Sequence, residues 1–326
     1  MIDTPGTTLP CMSFRYDNST YSAGWEDESN SYERVYIAAS WTKSIIIVLR
    51  LMPQKLHAYQ YVDDDTDHMQ EISRTYNHPK AIDVEISEIK DGIYRISGFV
   101  GDFGITYNQF LIDDDQPTLI HTGPFGMYDK IEEKVKEVIP LEKLAYVAFL
   151  HFESDEWGGM EFLKAPKAKL LCSDLSSKLN LTGWYNVPAD HISFWDNETL
   201  KTGRRILRFV MTPHVHHWDS MMIFENTTKS LFPSDLFMQP GINKPVVSDD
   251  LSEQMLALYR SSGIFASEEP VRNTVKRLIK LSPSMVYPMH GSCIDSSTFS
   301  MYTEAIFKND FSYIGTLLGQ KLEAVS

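Results

Sequence analysis

Short apolar runs, many of them β-branched and bounded by turn residues, alternate along this chain with stretches whose apolar positions recur at helical spacing. They predict several strands, then strand–helix units, then strands again. Residues 1–32 are rich in Ser, Thr, Asn, Asp and Gly and read as loop. The runs at 35–39 and 45–49, with Thr42-Lys43-Ser44 between them, predict a hairpin, and 57–62 a third strand. Asp63-Asp64-Asp65 breaks the pattern, and 67–79 reads as a polar linker or short helix. Residues 84–89 and 93–96 flank an Asp91-Gly92 pair and predict a second hairpin. Strands are expected at 106–112 and 118–120, an amphipathic helix at 127–138, and a buried strand at 145–150. A helix from 159 to 163, a strand at 170–172 and a helical stretch at 175–179 come next. The strands at 206–210, 221–224 and 230–232 precede helices at 252–259 and 271–281, a short strand at 285–288, and a mostly helical stretch from 298 to 318. Residues 1–80 carry no motif and read as a small β-rich extension of unknown role; residues 81–326 form the main domain.

Length and composition change this picture little. The 326 residues allow one large domain or two smaller ones, with an apolar and aromatic content ordinary for a globular protein. The formal charge of −14 argues against nucleic acid or an anionic lipid surface as partner. Cys11, Cys172 and Cys293 are far apart and form no Cys-x-x-Cys, which removes zinc ribbons and thioredoxin-like redox motifs and fits a reducing compartment. The N-terminus lacks a basic, signal-like region. The longest apolar run, at 45–52, is interrupted by Arg50 and is too short to span a bilayer, so no membrane association and a cytoplasmic location are expected.

Candidate chemistry changes it more. His151, Glu153 and Asp155 alternate directly after the buried strand at 145–150, which makes them a metal-site hypothesis. His216 follows the strand at 206–210, Asp235 the strand at 230–232, and His290 the strand at 285–288. Layered α/β folds keep their sites at such strand ends. Three imidazoles and three carboxylates suit two divalent cations. A carboxylate at 153 adds a hard oxygen donor, which favours iron or manganese over zinc, although zinc competes by intrinsic affinity.

These motifs, in this order, resemble a known family. His151-x-Glu153-x-Asp155, then Thr212-Pro213-x-x-His216, then Asp235 after a strand and His290-Gly291 near the C-terminus look like the metallo-β-lactamase fold in its di-iron form. Residues 104–112 resemble the family's early Gly-Thr-Thr-Tyr-Asn strand, and 216–221 its second histidine segment. The closest resemblance is to the oxygen-binding di-iron protein family and the related di-iron domain of flavodiiron proteins, and it spans roughly residues 83 to 320. It implies an α/β (α+β) fold, a four-layer αββα sandwich carrying the β-rich N-terminal extension. It also implies two Fe ions, with Mn or Zn as other occupants, and a bridging hydroxide or oxo. One ion would be held by His151, Glu153 and His216, the other by Asp155 and His290, with Asp235 bridging.

The sequence departs from the family at two positions. Many members have His directly after the Asp, where this chain has Glu156; Glu156 either ligates the second ion or turns away and supports the ligands, and the supporting role is expected ahead. His121 stands where an Asp is common, and either takes over its supporting role or is exposed. His214 is the candidate substitute for His216, or a support behind it, and Tyr107 a candidate pocket residue. Trp157 reads as a core aromatic. His57, His68, His78 and His191 read as structural.

The resemblance implies a non-haem di-iron protein that binds O2 as a sensor or carrier, in chemotaxis or redox signalling. The alternative is an oxidoreductase acting on O2 or NO, fed by a separate electron-donor protein; a further one is a zinc-dependent hydrolase. No flavin site is expected in this chain. Dimerisation is an expectation carried from relatives.

Overall fold

The computed structural model describes residues 34–40, 45–52, 55–62, 70–72, 83–101, 104–160, 163, 165, 167–184, 190–241, 244–317 and 320–321. The chain divides into two units, Met1–Lys80 and Ala81–Ser326. In the first, β1 (Arg34–Ser40), β2 (Ile45–Met52), β3 (Lys55–Val62) and β4 (Gln70–Ile72) form one antiparallel sheet in sequential order. β4 lies where the sequence suggested a linker or short helix. Its residues Gln70, Glu71 and Ile72 are too few to show a period and take strand form by pairing with Ala58–Gln60, a partner that a periodicity reading cannot see. The loop-like stretch 1–32, His68 and His78 fall outside the described residues.

The second unit is built on two seven-stranded sheets. Asp91 and Gly92, at φ +46° and +74°, make the tight turn that joins β5 (Val84–Lys90) to β6 (Ile93–Val100). Positive φ at both central residues matches the strand twist of a two-residue hairpin. β7 (Ile105–Ile112), β8 (Thr118–Ile120), β9 (Tyr146–Ala148), β10 (Lys169–Ser173) and β11 (His191–Phe194) complete the first sheet, in spatial order β11-β10-β9-β8-β7-β6-β5. The pairing is antiparallel from β5 to β8 and parallel from β8 to β11. The second sheet contains β12 (Thr199–Lys201), β13 (Ile206–Met211), β14 (Met221–Glu225), β15 (Ser230–Phe232), β16 (Val246–Val247), β17 (Met285–Val286) and β18 (Cys293–Asp295). Its order is β12-β13-β14-β15-β17-β18-β16.

Strand alternation sorts the apolar residues into three cores. Phe110, Ile112, Ile120 and Ala148 of the first sheet meet Leu207, Phe209, Met221, Ile223 and Phe232 of the second. Their sequence neighbours Leu111, Leu119 and Val147 face the opposite way, onto Ile131 and Val135 of α1 (Tyr128–Lys136). Likewise Val210, Met222, Phe224 and Leu231 face a helical layer. That layer is α3 (Ser252–Ser262), α4 (Glu268–Leu281) and α5 (Ser296–Lys308), with α2 (Ser154–Trp157) lying between β9 and β10 in sequence. The result is the αββα sandwich. Each fully buried Leu, Ile or Phe contributes about 1.5–3 kcal/mol of transfer free energy, which places the stability of the unit in these three cores.

Several boundaries differ from the sequence reading. Of the helix expected at 159–163, residues 161 and 162 lie outside the described residues; α2 (Ser154–Trp157) precedes the glycine pair. Gly159 cannot carry a side chain: a Cβ there would lie 2.3 Å from the Tyr128 ring and 2.7 Å from the Thr122 carbonyl oxygen. Gly159 therefore marks a close approach to the start of α1. The helical stretch after β10 spans Ser176–Trp184. α5 ends at Lys308 with Asn309 extended, and Thr316–Leu317 pairs with Gln320–Lys321 instead of continuing the helix. β11, β12, β16 and β18 were not anticipated. Each has two to four residues, too few for a period to register, and exists because a neighbouring strand pairs with it.

Candidate metal centre

The strand order brings β9, β13, β15 and β17 to the same place at their C-terminal ends. His151 follows β9, His216 lies between β13 and β14, Asp235 follows β15, and His290 follows β17. Backbone hydrogen bonds lock these segments together across the two sheets. The Met221 N–H donates to the Leu150 carbonyl (2.7 Å), the Met289 N–H to Ser234 (2.8 Å), and the Asn108 N–H to Met289 (2.8 Å). Glu153 is still extended and begins α2, while Asp155 and Glu156 lie in its first turn. The alternation in His-x-Glu-x-Asp therefore ends at Glu153, and the helical turn is what brings Glu156 inward beside its neighbours.

All three imidazoles aim Nε2 at carboxylates. His216 Nε2 lies 2.8 Å from Asp235 Oδ2 and 3.0 Å from Glu153 Oε2. His151 Nε2 lies 3.0 Å from Glu153 Oε2, 3.3 Å from Glu156 Oε2 and 3.4 Å from Asp235 Oδ2. His290 Nε2 lies 3.3 Å from Asp235 Oδ1 and 3.4 Å from Asp155 Oδ2. Asp235 thus turns one oxygen to His216 and His151 and the other to His290. The far nitrogens are held as well. His290 Nδ1 donates to the Thr106 carbonyl at 2.7 Å, which leaves Nε2 to face the pocket, and His151 Nδ1 sits 2.9 Å from Ser234 Oγ. Sequence reasoning did not single out Ser234 or Thr106; Ser234, directly before Asp235, was the one legible hint.

The remaining candidates are placed as follows. Tyr107 sets its ring edge-on to His290, with centroids 5.1 Å apart. Glu156 is fully buried against the pocket. His214 is exposed, with φ +64°. Trp157 stacks among Phe149 and Phe152 at 4.4 and 4.5 Å. His121 is buried, not exposed. Its Nε2 accepts from the Leu150 N–H at 3.3 Å and its Nδ1 meets Met289 Sδ at 3.0 Å, so it ties together the residues preceding His151 and His290. His191 lies on β11, away from the cluster. A further feature escaped the sequence reading. His217 Nδ1 bonds the Asp219 carboxylate, which also accepts from Ser176 Oγ and, at 2.9 Å, from Asn180 Nδ2.

Electrostatics set this pocket apart from an ordinary ion-pair network. Hydrogen bonds from His151 and His216 hold the Glu153 carboxyl down at about 2, against an opposing burial effect. Burial alone would lower His216 and His290, but the carboxylates beside their Nε2 atoms, Asp235 with Glu153 and Asp155 respectively, raise both to about 10. Burial pushes Glu156 well above the carboxylate range, and the charges of Asp155, Asp235 and Glu153 push it further. Asp235 goes the other way, because His151, His216 and His290 outweigh its burial.

Among the described residues, both oxygens of Glu156 and Asp235 Oδ1 are buried without a hydrogen-bond partner. Buried carboxyl oxygens are costly unless a donor or a cation meets them. His151, Glu153, His216 and Asp235 can bring one donor atom each to within 4.8 Å of one another, as can Glu153, Asp155 and Glu156. The pocket therefore fits metal ions. Hard oxygens in equal or greater number than imidazoles suit iron or manganese at least as well as zinc.

An αββα sandwich with an imidazole–carboxylate pocket at its strand ends is the architecture of the metallo-β-lactamase fold. The chain belongs to the ODP family beta lactamase, which matches residues 105–291, more than half of its length. A nitric oxide reductase of Moorella thermoacetica is 26% identical over 62% of this chain and 56% of its own. The crystal structure of the flavodiiron protein from Giardia intestinalis matches with a TM-score of 0.62 at 22% identity, over 70% of this chain and 60% of its own. The rubredoxin oxygen:oxidoreductase of Desulfovibrio gigas matches with a TM-score of 0.63 at 21% identity, over 69% and 62%. The chain spans about half the length of the curated relatives it matches. Among the described residues no helix is long and apolar enough to cross a membrane.

Proposed function

We propose that this protein is a non-haem di-iron oxidoreductase that binds O2 or NO and reduces it with electrons from a separate donor protein. The observation that carries the reading is the split of Asp235 between two imidazole groups, with unpartnered buried carboxylate oxygens beside it. His151, Glu153 and His216 would hold one ion, Asp155 and His290 the other, and Asp235 would be shared. A bound iron pair would supply two adjacent redox centres that accept a diatomic gas and pass electrons to it.

The chain's own contribution is orientation and shielding. Thr106 and Ser234 fix the rings of His290 and His151. Phe265 stands edge-on to His216 with centroids 6.5 Å apart, and Tyr107 edge-on to His290, so apolar edges border the donors. The reaction balances as 2 NO + 2 e⁻ + 2 H⁺ giving N2O and water, or O2 + 4 e⁻ + 4 H⁺ giving two waters. The electrons would come from a donor such as a flavoprotein or a rubredoxin, and the name of the Desulfovibrio relative contains the latter. The names of the curated relatives favour reduction over O2 sensing.

The test is gas consumption by iron-loaded protein given excess reductant and a rubredoxin. Many turnovers of NO or O2 per chain support the reductase. One O2 held per site with no further loss supports a sensor or carrier instead. Zinc alone, with no response to either gas, sinks both.

A further inference from the structure

Glu156 is the residue whose position is least explained by a structural role. It is a glutamate with no exposed surface, and neither carboxylate oxygen receives a hydrogen bond. His151 Nε2 lies 3.3 Å from Oε2, and that nitrogen is already shared with Glu153 and Asp235. α2 aims the side chain inward by its first turn, and its backbone is fixed from behind. The Glu156 carbonyl accepts from both the Thr122 N–H (2.7 Å) and the Thr122 Oγ1 (3.0 Å). Its carboxylate, with those of Glu153 and Asp155, can set three oxygens within 4.8 Å of one another.

Two arrangements satisfy a buried carboxyl in such a place. It is neutral, giving its proton to Asp155 and leaving its carbonyl oxygen unpaired, or it is ionised and bound to a cation. The first leaves the cost of an orphaned oxygen standing; the second removes it. We propose, resting on the metal-pair reading above, that Glu156 is a direct ligand of the metal pair, a fourth carboxylate beside Glu153, Asp155 and Asp235. Four carboxylates then match the four positive charges of two divalent ions. The pocket reaches neutrality from side chains alone, where His at the same position would leave one positive charge over. A fourth anionic donor stabilises the more oxidised ions and lowers the reduction potential of the pair.

The test compares wild type with Glu156→Gln and Glu156→His. Gln has the same shape as a protonated Glu but cannot carry its charge. Each protein is loaded anaerobically with ferrous iron, desalted, and measured for iron per chain, iron retention against a chelator, and midpoint potential; circular dichroism reports folding. If Glu156 is a ligand, Glu156→Gln holds iron at least about tenfold more weakly than wild type. Glu156→His keeps both ions, at a more positive potential. If Glu156 is a neutral support, Glu156→Gln retains iron within twofold of wild type at an unchanged potential, and the proposal falls. Should Glu156→Gln fail to fold, Glu156→His decides: a potential equal to that of wild type overturns it. Wild type that binds no iron pair overturns the underlying reading and this proposal with it, whereas wild type with two ions and Glu156→Gln with two equally tight ions overturns this proposal alone.

Discussion

Gly291→Ala tests how the fold aims His290. Gly291 sits at φ +89°, a conformation that costs an L side chain about 1–2 kcal/mol. A Cβ there would lie 2.6 Å from Gln239 Oε1 and 2.9 Å from both the backbone nitrogen and oxygen of Gln239. The side chain can swing away, but the backbone cannot, so the loop must shift at a cost of about 1–3 kcal/mol. The stiffer unfolded chain returns about 0.4–1 kcal/mol. The net loss is then about 1–4.5 kcal/mol. The shift also disturbs the Gly291 carbonyl, which accepts from Asn108 Nδ2 (2.8 Å), Arg95 Nη2 (3.0 Å) and Thr106 Oγ1 (3.3 Å), and with it the ring of the preceding residue. Urea unfolding of metal-free protein reads the stability, and iron per chain reads the ring. Gly241→Ala is the control. Gly241 has φ +75° but open space where its Cβ would go, so only the conformational part of the loss applies. Gly291→Ala within about 0.5 kcal/mol of wild type and with full iron refutes the reasoning.

Other substitutions probe separate links. Ser234→Ala removes the partner of His151 Nδ1; it should cost about 0.5–1.5 kcal/mol in urea unfolding and about 10–100-fold in metal affinity by chelator competition. Glu153→Ala should abolish the pair, and stoichiometric iron in the purified variant would count heavily against the ligand set. Arg205→Ala breaks the buried contact with Glu225 (3.2 Å). Glu225 keeps the N–H groups of Thr227 and Thr228, so the loss should sit near the low end of the usual range, about 3 kcal/mol, with iron content unchanged. In metal-free protein His216 and His290 hold protons up to about pH 10. Their raised values stabilise the metal-free fold fully below the ordinary histidine range, and that stabilisation is lost as pH rises towards 10. Near neutral pH metal must displace those protons. Loading should release one proton from each of these two imidazoles, with a third from Glu156 if it ligates, and should tighten as pH rises, which calorimetry in buffers of different ionisation enthalpy measures.

What the sequence made legible follows from how each signal is carried. The αββα layering was implied by motif resemblance, and the alternation of residues 110–112 and 221–224 between two cores supplies its physical basis. The convergence of His151, Glu153, His216 and Asp235 was readable because each follows an apolar strand, and parallel strands end together. Glu156 was expected ahead as a support turned from the metals, and alternation along 151–155 alone gives no reason for residue 156 to face inward. The turn of α2 supplies that reason. Support by Thr106 and Ser234 comes from residues far in sequence from the imidazoles they hold, whereas a supporting role for His121 was one of the two readings the resemblance offered.

The most direct measurement is the iron content of the wild-type chain after anaerobic ferrous reconstitution and desalting, read with its Mössbauer spectrum. A pocket in which Asp235 divides its oxygens between two imidazole groups predicts close to two irons per chain and coupled ferric ions on oxidation. One iron per chain, or two that remain magnetically independent, would contradict it.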